Sequence, residues 1–256
     1  MIVTLINNLS TAATVIRSAQ EVSVQLGKKS GIVVLADTAA MVESRQSELK
    51  ELLLQQQIIP DYSSVQLAGL NDLNDICTNL EVSFLFIQLT NPSYSNIKRY
   101  LKVCRELRIP YLFYKDSFPA LNMEKILVPV NFLIEEIEKA QFAAAFGRFC
   151  HSKITLLQAN DYGSKAATNV SKIKSVFDKF DFEYQVVKGK KDSFKIEFDA
   201  LTISEKENYG LILVSSSREY GLDDIIFGPK ELHLIKKAKF PLLLINPRAD
   251  LYTLCD

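Results

Sequence analysis

The chain has 256 residues, enough for one large core or two smaller ones. Its 48% hydrophobic and 23% charged content is that of a globular protein, and 30 basic against 30 acidic residues leave no net charge. That balance argues against nucleic-acid or membrane-surface binding, which needs clustered positive charge.

The opening MIVTLINNLST carries no basic stretch and turns strand-like at once, so no signal peptide is expected. No apolar run reaches the ~18 residues needed to span a bilayer. Cys77, Cys104, Cys150 and Cys255 form no CxxC pair or metal-ligand spacing, so buried thiols and a cytoplasmic address are expected.

In chain order, Ile2–Asn7 reads as a buried strand and Ala12–Leu26 as an amphipathic helix. Strand Ile32–Ala36, a helix over Val42–Gln56 and a weaker strand Ser64–Leu67 follow. Helix Leu73–Leu80, strand Val82–Leu89, helix Ile97–Leu107 and strand Tyr111–Tyr114 complete the first half. The pattern then restarts. Ile126–Asn131 matches Ile2–Asn7 in length, apolarity and terminal Asn; helix Glu135–Phe149 and strand Ile154–Ala159 come next. A helix around Thr168–Phe180, strand Glu183–Val187 and a helix around Phe194–Glu207 lead to strand Gly210–Ser215. After a polar loop, helix Lys230–Lys239 and strand Leu242–Ile245 close the chain. The restart predicts two domains, 1–119 and 120–256, each a doubly wound parallel α/β sheet.

In such folds ligands sit beyond the carboxyl ends of the strands, which makes the loop after Ser215 the place to look for chemistry. Ser215, Ser216, Ser217 and Arg218 could form an anion site from hydroxyls and a guanidinium; the simpler reading is a polar loop with turn residues Gly221 and Gly228. His151 and His233 lack the companions of a triad or metal site, and Asp223-Asp224 is a solvated pair. Glu135, Glu136 and Glu138 read as first-turn charge at a helix N-terminus. Met123, Phe142, Phe146 and Phe149 are expected in the core, and Lys188, Lys190 and Lys191 in a solvated turn.

The segments ILVPVNFLIEEIEKAQFAAAFGRFCHSKITLLQA and LILVSSSREYGLDDIIFGPKELHLIKKAKFPLLLI resemble the opening and closing units of the universal stress protein family. The likeness is clear over Ile126–Arg248 and fainter over Met1–Ser117. It implies a tandem form of the adenine nucleotide alpha hydrolase-like fold. It also implies an internal pseudo-dimer, joined antiparallel through Tyr111–Tyr114 and Leu242–Ile245. ATP-binding members carry G-x2-G-x9-G-[ST]; here those positions are Ser215, Arg218, Gly228 and Pro229, so only Gly228 matches. Arg218 brings bulk, Pro229 removes a donor, and the strand-one aspartate is replaced by Asn131 in one half and Asn7 in the other.

The resemblance therefore implies a non-catalytic stress-response interaction module with no cofactor and with protein partners. The alternative is an ATP or AMP sensor, or weak ATPase, with a rebuilt site at Asn131, Ser215–Arg218 and Gly228. A third reading is a regulatory subunit docked on a transporter or enzyme. Whether the chain forms a homodimer stays open.

Overall fold

A computed structural model describes residues 1–217, 221, 224 and 227–248 of the chain. The backbone divides into two compact units, Met1–Leu121 and Asn122–Asp256. The first contains β1 (Ile2–Ile6), α1 (Ala13–Gln25), β2 (Ser30–Ala36), α2 (Ala39–Gln56), β3 (Tyr62–Leu67), α3 (Leu73–Asn79), β4 (Phe84–Leu89), α4 (Tyr94–Cys104) and β5 (Tyr111–Lys115). Its strands are ordered β3-β2-β1-β4-β5 and all four pairings are parallel.

The second unit contains β6 (Lys125–Val130), α5 (Lys139–Phe149), β7 (Lys153–Gln158), α6 (Lys165–Phe177), β8 (Tyr184–Lys188), α7 (Ile196–Glu207), β9 (Leu211–Ser215), α8 (Lys230–Lys237) and β10 (Leu242–Ile245). Its order, β8-β7-β6-β9-β10, is again parallel throughout. In both units the winding reverses after the third strand, which sets the fourth beside the first. Right-handed crossovers then place the helices of the two winding directions on opposite faces; accordingly α5 packs on α6, and α7 on α8.

The sequence explains the layering. Strands covered on both faces need continuous apolar runs. β1, β4, β6 and β9 supply them, with Leu5, Leu85, Phe86, Ile126, Leu127, Val128, Leu211 and Leu213 fully enclosed. The outermost strands β3 and β8 are more polar and more exposed. Helix starts follow local capping chemistry: the Thr38 hydroxyl accepts from the Met41 amide, and Ser93 accepts from Asn96. Ser93 thereby starts α4 at Tyr94, three residues before the apolar periodicity predicted, and α4 ends at Cys104 ahead of Pro110.

Two expectations change. The segment expected to open a continuous helix at Glu135 is a 3-10 turn, Ile134–Glu138, before α5 begins. Met123 and Phe146 are core, but Phe149 is 49% exposed, with the Arg148 guanidinium 5.0 Å above its ring.

Gly210 marks a close backbone crossing. A Cβ there would lie 1.9 Å from the Asn122 carbonyl oxygen, and backbone cannot swing aside as a side chain can. At Gly163 a Cβ would meet nothing within 4 Å. Gly210→Ala should lose about 1–3 kcal/mol of unfolding free energy, whereas Gly163→Ala should be near neutral. Urea denaturation of the two variants checks this; equal stabilities would remove the crossing as a constraint.

Candidate functional site

β6 and β9 are neighbours, paired at Ile126 with Leu211 and Leu127 with Ile212, so Asn131 and the Ser215–Ser217 segment emerge side by side at their carboxyl ends. Asn131 is buried, and its Oδ1 accepts from the Leu133 amide at 2.7 Å, closing a tight turn. The Asn169 side chain donates to the carbonyls of Asn131 and Leu133 at 3.0 and 2.7 Å, and Ser193 Oγ accepts from the Phe132 amide at 3.0 Å. Ser215 is buried at the end of β9, Ser216 donates its amide to Ile245 at 2.9 Å, and Gly228 is buried with φ 83°. Pro229 caps α8. Arg218 and Asp223 lie outside the described residues.

At this point the structure buries charged groups. Glu136, expected as first-turn charge at a helix N-terminus, is fully buried. Its Oε2 accepts from the Asn131 amide at 3.0 Å and from Lys139 Nζ at 2.7 Å. Lys139, equally buried, also donates to the Pro129 carbonyl. Glu138 is buried too and accepts from the Arg248 amide at 3.0 Å. The reason is geometric: the 3-10 turn carries these carboxylates back toward the end of β6 rather than outward.

Another buried carboxylate, Glu197, pairs with Lys230 at 2.7 Å, and the Lys230 side chain keeps 28% exposure. A fourth, Glu231, is fully buried in the first turn of α8 and accepts from the Ser217 backbone amide. An internal anion thus occupies a loop donor at a helix N-terminus, the kind of place where such donors and the helix dipole favour negative charge. Glu136 Oε1, Glu231 Oε2 and Ser215 Oγ are buried without a partner among the described residues.

Burial, and then neighbouring Glu136, raise the Glu197 carboxyl above the ordinary glutamate value against the pull of Lys230. Burial works to lower the Lys230 ammonium, but Glu197, Glu231 and Glu136 together raise it.

In the first unit the equivalent end is closed by one neutral side chain. Gln88, fully buried in β4, accepts through Oε1 from the amides of Asn7 and Asn8 at 2.9 Å each. Its Nε2 lies 3.0 Å from the Asn8 carbonyl, Thr11 Oγ1 and Asp116 Oδ1. The Asn7 side chain donates in turn to the Gln88 carbonyl.

Elsewhere, His151 adopts φ 53° on the surface, and His233 Nε2 lies 3.0 Å from the Phe227 carbonyl. Asp224 accepts from the Gly221 amide at 3.0 Å. Burial pushes Cys77 up to about 12 and Cys150 to about 11, and raises Cys104 well above its usual value, so these thiols are protonated near neutral pH. Cys255 lies outside the described residues. Among the described residues no cluster of His, Cys, Asp or Glu is placed to hold a metal ion, and no helix is long and apolar enough to cross a membrane.

Known structures resemble this fold over nearly the whole chain. A universal stress protein from Archaeoglobus fulgidus DSM 4304 superposes with a TM-score of 0.64 at 15% identity, covering 97% of either chain. A putative universal stress protein from Pseudomonas aeruginosa UCBPP-PA14 gives 0.62 at 11% identity, covering 96% of this chain and 92% of that one. This chain has the universal stress protein fold. The cytoplasmic domain of a prokaryotic cation chloride cotransporter is similar as well, at a TM-score of 0.56, 13% identity and coverage of 95% and 93%. The sequence matches no protein-family model and no curated protein.

The pairs should be strongly context-dependent. Lys139→Met leaves Glu136 buried without its cation and should cost about 3–5 kcal/mol, while Glu136→Leu combined with Lys139→Met should recover most of that loss. Equal losses in the single and double variants by urea denaturation would show that the pair is not coupled.

The second pair carries a pH signature. A carboxyl whose folded pKa is raised is protonated first in the folded state, so its contribution to stability is greatest below the ordinary value of 4.5 and is lost as pH rises through the folded value. Lys230→Met should therefore cost about 1–3 kcal/mol at mildly alkaline pH and less as pH falls toward that value, since neutral Glu197 no longer needs the cation. Denaturation curves of both forms across this range check the sign; a cost that grows on acidification would contradict it.

Proposed function

We propose that this chain is a non-catalytic binding or interaction module of the stress response, derived from a nucleotide-binding architecture by tandem duplication, that does not use ATP. The observation that carries this reading is the Glu231 carboxylate on the Ser217 amide. A phosphate arriving there would meet a buried like charge and a donor already engaged. Glu136 adds a second buried carboxylate beside Asn131, where ATP-binding relatives of the resembled family carry the aspartate that contacts the nucleoside. The missing loop glycines at Ser215 and Arg218 and the missing hydroxyl at Pro229 point the same way.

A role in binding rather than chemistry fits the rest of the site. The two ion pairs and the Ser193 and Asn169 contacts are internal, so they brace the carboxyl end of the sheet. The buried, protonated thiols supply no nucleophile at neutral pH. A cytoplasmic address and protein partners complete the proposal.

The test is thermal denaturation with ATP and with AMP. A ligand bound only by the folded state at one hundred times its dissociation constant stabilises by about 2.7 kcal/mol, which would raise the melting temperature by several degrees. Millimolar nucleotide should leave the melting temperature unchanged. A concentration-dependent rise would overturn the reading and favour an adenine-nucleotide sensor.

A further inference from the structure

The outer edge of the second sheet is unusually open. β8 is the last strand in its order and pairs only with β7. Side chains alternate between faces along a strand, yet the consecutive residues Val186 and Val187 are 40% and 41% exposed. Neither face of the strand is fully covered, although Phe177 of α6 stacks edge-on against Tyr184 at 5.3 Å.

The hydrogen-bond register says which backbone groups are unused. Ile154 pairs with Tyr184, the Ile154 amide donates to Glu183, and the Gly189 amide donates to Gln158. In a parallel ladder this alternation turns residues 183, 185, 187 and 189 toward β7. The N–H and C=O groups of Tyr184, Val186 and Lys188 therefore point away from the sheet.

Charge along the edge is polarised. Asp178, Asp181 and Glu183, the last paired with Lys153 at 3.3 Å, outnumber Lys179 ahead of the strand; Lys188, Lys190 and Lys191 outnumber Asp192 at and after its end. Lys188, Lys190 and Lys191 are exposed and make no ion pair among the described residues.

We propose that β8 is a self-association edge, pairing antiparallel with β8 of a second copy about a two-fold axis through Val186. Adjacent pairs in an antiparallel ladder alternate in type, so a two-fold axis requires one residue to face itself. Val186 is the choice that pairs all three outward residues: Val186 with Val186, and Tyr184 with Lys188 in both directions. That yields about six new backbone hydrogen bonds. The same register sets the Lys188 ammonium beside the Tyr184 ring of the second copy. It also brings Asp181 alongside Lys191, so the acidic end of each copy meets the basic end of the other. A parallel arrangement would place like charges together. This proposal stands apart from the nucleotide reading, since it uses no residue of that site.

Sedimentation velocity from low to high micromolar concentration tests it. The full chain should shift from monomer to dimer. Val186→Pro removes an outward N–H and leaves the ladder to β7 intact, and should weaken association at least about tenfold. Lys191→Asp should weaken it through like charge facing Asp181, and adding Asp181→Lys should restore it. A chain that stays monomeric throughout would overturn the proposal. So would a dimer that survives both Val186→Pro and Lys191→Asp. If the proline variant unfolds by circular dichroism, the charge reversal and its rescue decide the matter.

Discussion

Charge taken out of water must be compensated on the spot, and the carboxyl end of the second sheet is organised by that constraint. Glu136, Lys139, Glu197 and Glu231 are buried there, with Lys230 reaching in from α8. Isolated, any of these would be strongly destabilising; combined, Lys139 and Lys230 offset Glu136 and Glu197, while Glu136 and Glu231 accept from the backbone amides of Asn131 and Ser217. The turn after β6, the start of α5, the start of α7 and the start of α8 are all tied to this cluster. Internal charge thus fixes four chain segments at this end of the sheet.

The two units solve one topological problem with different chemistry. A parallel sheet whose order reverses leaves a crevice at the carboxyl ends of its first and fourth strands, lined by backbone amides that need acceptors. In the first unit a single neutral amide, Gln88, satisfies the amides of Asn7 and Asn8. In the second, carboxylates take that role and require lysines to balance them. The neutral solution carries the smaller desolvation cost. The ionic one makes the crevice pH-sensitive, through the raised Glu197 carboxyl.

Fold class was legible in the sequence because buried parallel strands demand uninterrupted apolar runs. LVPV in β6, LILV in β9 and FLFI in β4 cannot be mistaken for exposed edges. The loop's missing glycines were equally legible, since a residue type that permits close approach is either present or absent. Glu136 and Lys139 were not. At three-residue spacing they resemble any solvated helical pair, and only the 3-10 turn that precedes α5 turns them inward. Glu231 likewise reads as ordinary first-turn acid, until α8 is set against β9 so that its carboxylate reaches Ser217.

The sequence by itself determined most of the strands and helices, that the same order of elements occurs twice, and that Ser215 and Arg218 stand where the resembled motif carries glycine. These follow from periodicity and residue type, which are local properties. Only the tertiary structure decided which charged side chains are buried, which backbone donors they occupy, and which strand edge stays open. Those outcomes depend on residues distant in the chain, Glu197 with Lys230 or Ser217 with Glu231, whose meeting is set by sheet register and helix docking rather than by any neighbour in sequence.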